Sequence, residues 1–194
     1  MATTVSDDAP RPQRLGTGNW EQATLALIAE EGVGAVAVET LARRLGVTKG
    51  SFYWHFRSRQ ALLQAALERW EHQDEARVLA QIEPIVDPRR RLRALFEVVA
   101  RELQSHRVYA ALLKALDHPA VLPLMARVSQ RRMQFLAAAY REAGLEGEVA
   151  EHRARLTYAA YVGFLQINMT LGLPRLSHDA FDAYVAHLAD TLIP

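Results

Sequence analysis

The sequence predicts an all-α chain, and three observations carry that expectation. Beyond Pro88 there is no strand-like alternation, while apolar residues recur at spacings of three and four, the period of a helical face. The clear breaks, Pro84 to Pro88, Asp117-His118-Pro119, Gly144 to Gly147 and Gly172-Leu173-Pro174, separate stretches of helical length. Near the start, Val38 to Phe56 sets two short helical periods around a Gly46-Val47 turn, the layout of a helix-turn-helix.

Residues 1–16, with Pro10, Pro12 and mixed charge, read as a flexible arm. A first helix is expected from about Thr17 to Glu31, turning Trp20, Ala23, Leu27 and Ile28 inward and ending at Gly32. Residues 38–45 and 48–55 make the two helices of the reading unit, which spans 17–57. Ser58 then caps a long connecting helix, placed in 58–83, through Leu62, Leu63, Ala66, Leu67 and Trp70. From 84 to 194 five more helices are expected, at about 89–104, 106–117, 120–143, 149–172 and 178–192.

In the first reading helix, Leu41 and Leu45 stand four apart beside Ala42, so Thr40, Arg43 and Arg44 lie off the apolar face. In the second, Phe52 and Phe56 repeat that spacing and point into a core. Its other face then presents Lys49 and Tyr53, flanked by Gly50, Trp54 and His55, with Thr48 in the N-cap position. Charge agrees with this geometry. The chain is nearly balanced at +1, yet Thr40 to Leu67 holds Arg43, Arg44, Lys49, Arg57 and Arg59 with no acid. A local basic stripe on a helix-turn-helix is the footprint of a polyanion site, here double-stranded DNA.

The run Gly32, Val38, Leu41-Ala42, Gly46-Val47-Thr48-Lys49-Gly50, Phe52-Tyr53, His55-Phe56 and Leu62 resembles the N-terminal signature of the TetR family of bacterial transcriptional regulators. Two positions depart from the pattern. Ala37 stands where the family has a capping Ser or Thr, so Glu39 in the first turn is left to favour the helix dipole. Arg59 replaces a Lys. The resemblance implies that Lys49 donates to a guanine edge, that Ser51 reaches a base or phosphate and that Gly50 permits close approach. Thr48, Tyr53, His55 and Arg59 would hold phosphates, Arg43 or Arg44 would support them, and Trp54 would pack on sugar or a thymine methyl. Arg11 and Arg14 of the arm would enter a minor groove.

For residues 84–194 the resemblance implies an effector-binding and dimerisation domain. Its expected pocket residues are Phe96, Leu103, Leu113, Met125, Phe135, Tyr158, Phe164 and Asn168, suited to a hydrophobic or aromatic small molecule. Tyr161, Leu165, Phe181, Tyr184, Leu188 and Leu192 are expected at a homodimer interface, because two half-sites call for two readers. The whole is then a repressor on a palindromic operator, with the connecting helix tilting when effector binds.

Composition limits the alternatives. At 194 residues, half of them apolar, the chain can bury a real core. It has no cysteine, which points to a reducing cytoplasm and removes thiolate chemistry. Neither a signal-peptide stretch nor an apolar run of membrane-spanning length is present. A metal-dependent enzyme would have to rest on His72 with Glu75 or Glu102 with His106, pairs common in charged helices. A nucleophile elbow and a Gly-rich phosphate loop are both missing, so no enzyme activity and no cofactor are expected. A helical adaptor or structural protein remains the other reading, one that would lack sequence-specific DNA binding.

Overall fold

The computed structural model describes residues 15–194; residues 1–14 of the arm, with Arg11 and Arg14, lie outside the described residues. Among these the chain forms nine α-helices and no strand: α1 (Thr17–Glu31), α2 (Val38–Arg44), α3 (Lys49–Phe52), α4 (Arg59–Ile82), α5 (Pro88–Arg101), α6 (Leu103–Leu113), α7 (Val121–Glu142), α8 (Gly147–Leu171) and α9 (His178–Leu192). The all-α expectation holds, and the helix order follows the sequence breaks. No described helix is long and apolar enough to cross a membrane.

The helix ends follow local chemistry. The Ser58 hydroxyl accepts the backbone N–H of Ala61 at 3.1 Å and starts α4 as expected. Asp87 does the same for Arg90 at 2.7 Å, with Pro88 in the first position of α5. Gly46 supplies the turn between α2 and α3 at a φ of 66°, a conformation that a side chain disfavours.

Two expectations about the reading unit change. Thr48 stands at the N-cap of α3, but its hydroxyl makes no capping hydrogen bond. The regular helix is also much shorter than residues 48–55. Beyond Phe52 the chain tightens, with the N–H groups of Tyr53 and His55 bonding to the carbonyls of Gly50 and Phe52, three residues back. The cause is packing. Phe52 and Phe56 must both enter the core, where their rings stack at 5.8 Å and Phe52 meets Trp20 edge-on at 5.4 Å.

Buried side chains of α1 to α4 form one continuous cluster with Val108, Tyr109 and Leu112 of α6 and Met125 and Val128 of α7. A second cluster joins Ile82 of α4 to Leu92 and Leu95 of α5, Leu136 and Tyr140 of α7 and Ala154 of α8. The chain break at Pro84 is therefore not a break in the packing, since α4 contributes to both clusters. Each fully buried Leu or Phe contributes about 1.5–3 kcal/mol.

Candidate nucleic-acid interface and internal cavity

The α2-α3 unit presents Lys49, Tyr53 and Trp54 to solvent, with Trp54 89% exposed and Tyr53 60%. Tyr53 meets the Phe52 ring edge-on at 5.1 Å, while Trp54 stands almost wholly in solvent. At Gly50 nothing in the chain demands glycine. Its φ is not positive, and an added Cβ would sit an ordinary 3.7 Å from the Thr48 hydroxyl.

The basic residues around this face are partly spoken for. Lys49 donates to the Glu39 carboxylate, and that hydrogen bond pulls the Glu39 carboxyl below its ordinary range while raising Lys49. The first-turn acid of α2 thus serves its helix and Lys49 together. Arg44 pairs with Glu30 at 2.7 Å and Glu31 at 2.8 Å, and the Glu30 bond raises its pKa. Arg59 donates its Nε–H to the Val36 carbonyl, leaving the rest of its guanidinium at the surface. Arg43 is exposed; Ser51 and His55 are half-buried beside Phe52 and Phe56.

A cavity of about 620 Å³ opens between α4, α5, α6, α7, α8 and α9. Of the expected pocket residues, Phe96, Leu103, Phe135, Tyr158, Phe164 and Asn168 line it. Leu113 and Met125 do not. Met125 is buried in the cluster shared with α1 and α6, and Leu113 packs on that cluster from outside.

All six residues expected at the dimer interface, Tyr161, Leu165, Phe181, Tyr184, Leu188 and Leu192, line this cavity. The apolar stripe of α9 covers its own domain: Phe164 stacks with Tyr184 at 5.0 Å and packs on Phe181 at 5.8 Å. Facing away from the cavity, α8 carries a second apolar stripe that the sequence reading missed. Val149, Leu156, Ile167 and Leu171 are 54%, 57%, 48% and 65% exposed. With Gly163 between them they recur at helical spacing, which was the signal available in the sequence.

The inner wall of the cavity is polar in one sector, and that sector belongs to α4. The Glu71 carboxylate, 4% exposed, accepts from Arg127 at 2.7 and 2.9 Å and from Arg131; the Arg127 bonds, first of all, hold its carboxyl below the ordinary range. Asp74 accepts from Arg132 at 2.6 Å and from the Ser105 hydroxyl, which itself accepts the Trp70 indole N–H at 3.1 Å. Arg132 also lies over the Tyr109 ring at 5.0 Å. Tyr158 donates to Ser129 at 2.9 Å and therefore accepts from Tyr109 at 2.6 Å. Burial and that bond push Tyr109 upward.

The two pairs weighed as metal ligands are otherwise employed. Glu102 accepts from Arg77 at 2.8 Å, and the His72 ring meets the Glu68 carbonyl at 2.8 Å. His106 is buried on the cavity wall, and burial depresses its pKa to about 4.

Comparison with known proteins places this geometry among related chains. Residues 22–66, which contain α2 and α3, match the family described as bacterial regulatory proteins, tetR family. The HTH-type transcriptional regulator TtgR of Pseudomonas putida is 30% identical over 146 residues, covering 69% of this chain and 70% of that protein. A putative transcriptional regulator from Saccharomonospora viridis, solved in complex with choline, superposes with a TM-score of 0.75 at 23% identity, covering 90% of this chain and 93% of that one. AibR, solved in complex with isovaleryl coenzyme A and operator DNA, superposes with a TM-score of 0.68 at 19% identity, over 92% of this chain and 98% of its own.

Proposed function

The chain belongs to the TetR family of bacterial transcriptional regulators, and from that premise we propose a homodimeric repressor that leaves a palindromic operator when a small, largely apolar effector fills the cavity. One observation carries the coupling. The helix α4 begins at Ser58 and Arg59 beside the reading unit, and its middle, from Trp70 to Leu79, is cavity wall. A ligand that prefers one setting of α4 thereby prefers one separation of the two readers. Its leverage equals its differential affinity for the two settings, and a near-complete reversal takes about 5 kcal/mol.

At the DNA, α3 enters the major groove with Lys49 on a guanine edge and Ser51 near a base or phosphate, while Gly50 lets the backbone close in. Thr48, whose hydroxyl is not spent on capping, joins Tyr53, His55 and Arg59 on phosphates, with Arg43 exposed beside them. Arg44 plays a lesser part, being held by two acids. In the cavity, the apolar wall favours a hydrophobic or aromatic molecule. Because α9 turns its apolar stripe inward, the subunit contact moves to the outward stripe of α8, Val149, Leu156, Ile167 and Leu171. The protein works in the cytoplasm, where its DNA is.

Selection of bound sequences from random DNA tests the reading. The expected product is a twofold-symmetric site shifted by one dimer. Recovery of unsymmetrical sites, or of no enriched sequence at all, would return the chain to the adaptor reading.

A further inference from the structure

The cavity wall carries several charges, but they answer one another. Glu71 is met by Arg127 and Arg131, Asp74 by Arg132, Glu75 by Arg131 at 3.3 Å and Glu102 by Arg77. An ionic ligand buried among these pairs would lose its hydration without gaining an uncompensated partner; Arg175, exposed between α8 and α9, is the lining charge that stands outside the pairs. What the wall does leave unmet is one acceptor. His106 is 5% exposed, and its Nε2 is covered with no hydrogen-bond partner among the described residues. Burial pushes its pKa down to about 4, so the ring is neutral, with one nitrogen protonated and the other a bare acceptor. With the proton on Nδ1 that acceptor is Nε2, which faces no donor. A buried polar atom in that state is costly, and it persists where something else is meant to satisfy it. The imidazole meets the Tyr161 ring edge-on at 5.5 Å, and both residues line the cavity.

We propose that the effector is an uncharged aromatic molecule bearing a hydrogen-bond donor, a phenol-type hydroxyl or an N–H, which displaces the Tyr161 edge and donates to Nε2 of His106. The inference rests on the cavity being the effector site. Its size, about 620 Å³, suits a molecule of two or three fused or linked rings.

Three biphenyl probes separate the possibilities: 4-phenylphenol, which has a donor; 4-methoxybiphenyl, the same body without it; and biphenyl-4-carboxylate, which is charged. Titrated into the wild-type dimer, the phenol is expected to bind roughly tenfold tighter than the ether, the worth of one hydrogen bond to a buried acceptor, and the carboxylate weakest. In His106→Phe the phenol and ether should bind alike, while Tm rises because the unmet acceptor is gone. The Tm measurement also reports whether that variant folds, and His106→Leu repeats the comparison with a smaller apolar side chain. Equal binding of phenol and ether to wild type would overturn the donor requirement and leave the apolar cavity standing. A preference for the phenol that survives in both variants would remove His106, and tightest binding by the carboxylate would overturn the uncharged class. Binding of none of the three would overturn the effector-site reading itself.

Discussion

At the reading unit and at the cavity the same kinds of charged pair are built into opposite surroundings. Lys49 and Glu39 have side chains 53% and 63% exposed, and Arg44 meets Glu30 and Glu31 on open surface. Glu71 and Asp74 are 4% and 13% exposed and tie α4 to α7. Exposed pairs are weak and screened, so a phosphate can replace the carboxylate at little cost. Buried pairs cannot be exchanged that way, since breaking one strands a charge out of water. Under the proposed function the first set is a reserve of cations for DNA, and the second ties the helix proposed to move to the wall proposed to sense the effector.

The sharpest test of that division is a face that belongs to neither set. Leu156→Glu places a charge in the outward stripe of α8 and should convert the dimer to monomer, weakening operator binding by roughly a hundredfold or more as the second half-site is lost. Leu188→Glu, on the cavity face of α9, should leave the dimer intact and impair effector binding. Sedimentation of both variants decides it, and a monomer from Leu188→Glu with a dimer from Leu156→Glu would restore the original assignment of α9.

The buried pairs are tested next. Glu71→Gln removes the charge that Arg127 and Arg131 converge on and should cost about 2 kcal/mol of stability, a low figure for a buried pair because the arginines are 51% and 40% exposed. The sign with pH follows from the lowered carboxyl. Wild type holds the full contribution above the ordinary carboxylate range and loses it as pH falls through the lower folded value, so the gap between wild type and variant should close in acid. Denaturant titrations at neutral and acid pH measure it. A gap that stays constant with pH would mean that Glu71 acts through packing alone.

What the sequence disclosed divides along the same line. Ser58, Gly46 and the Phe52/Phe56 spacing were readable because caps, turns and short repeats are decided within a few residues. The shortness of α3 was not, since it depends on where Trp20, far along the chain, puts the core. In the cavity, Phe96 and Tyr158 were readable as apolar residues on neighbouring helices. Met125 was misplaced because α7 packs on α6, and through it joins the cluster of α1, as well as on the cavity, and periodicity does not say which neighbour a stripe will meet. For α8 the difficulty was doubled. It has apolar residues on two faces, and only the packed structure shows that Tyr161 and Leu165 look inward while Leu156 and Ile167 look out.

The smallest effects belong to the reader's exposed pair, and they separate holding a cation from using it. Lys49→Ala should weaken operator binding roughly tenfold more than it weakens random DNA, because a guanine contact is lost on the operator alone. Random DNA should also suffer slightly, since Glu39 is left as an unpaired carboxylate on the DNA side. Glu39→Gln does the reverse: it releases Lys49 and removes a negative charge, so affinity for any DNA should rise roughly two- to fivefold. Log affinity against log salt should steepen by up to about 0.9 per protomer, the share of one additional phosphate contact. Mobility shifts at several salt concentrations read both numbers. A uniform fall in affinity for Glu39→Gln would mean that the carboxylate's main service is to aim Lys49, and the exposed pair would then behave as fixed structure, like the buried pairs beside the cavity.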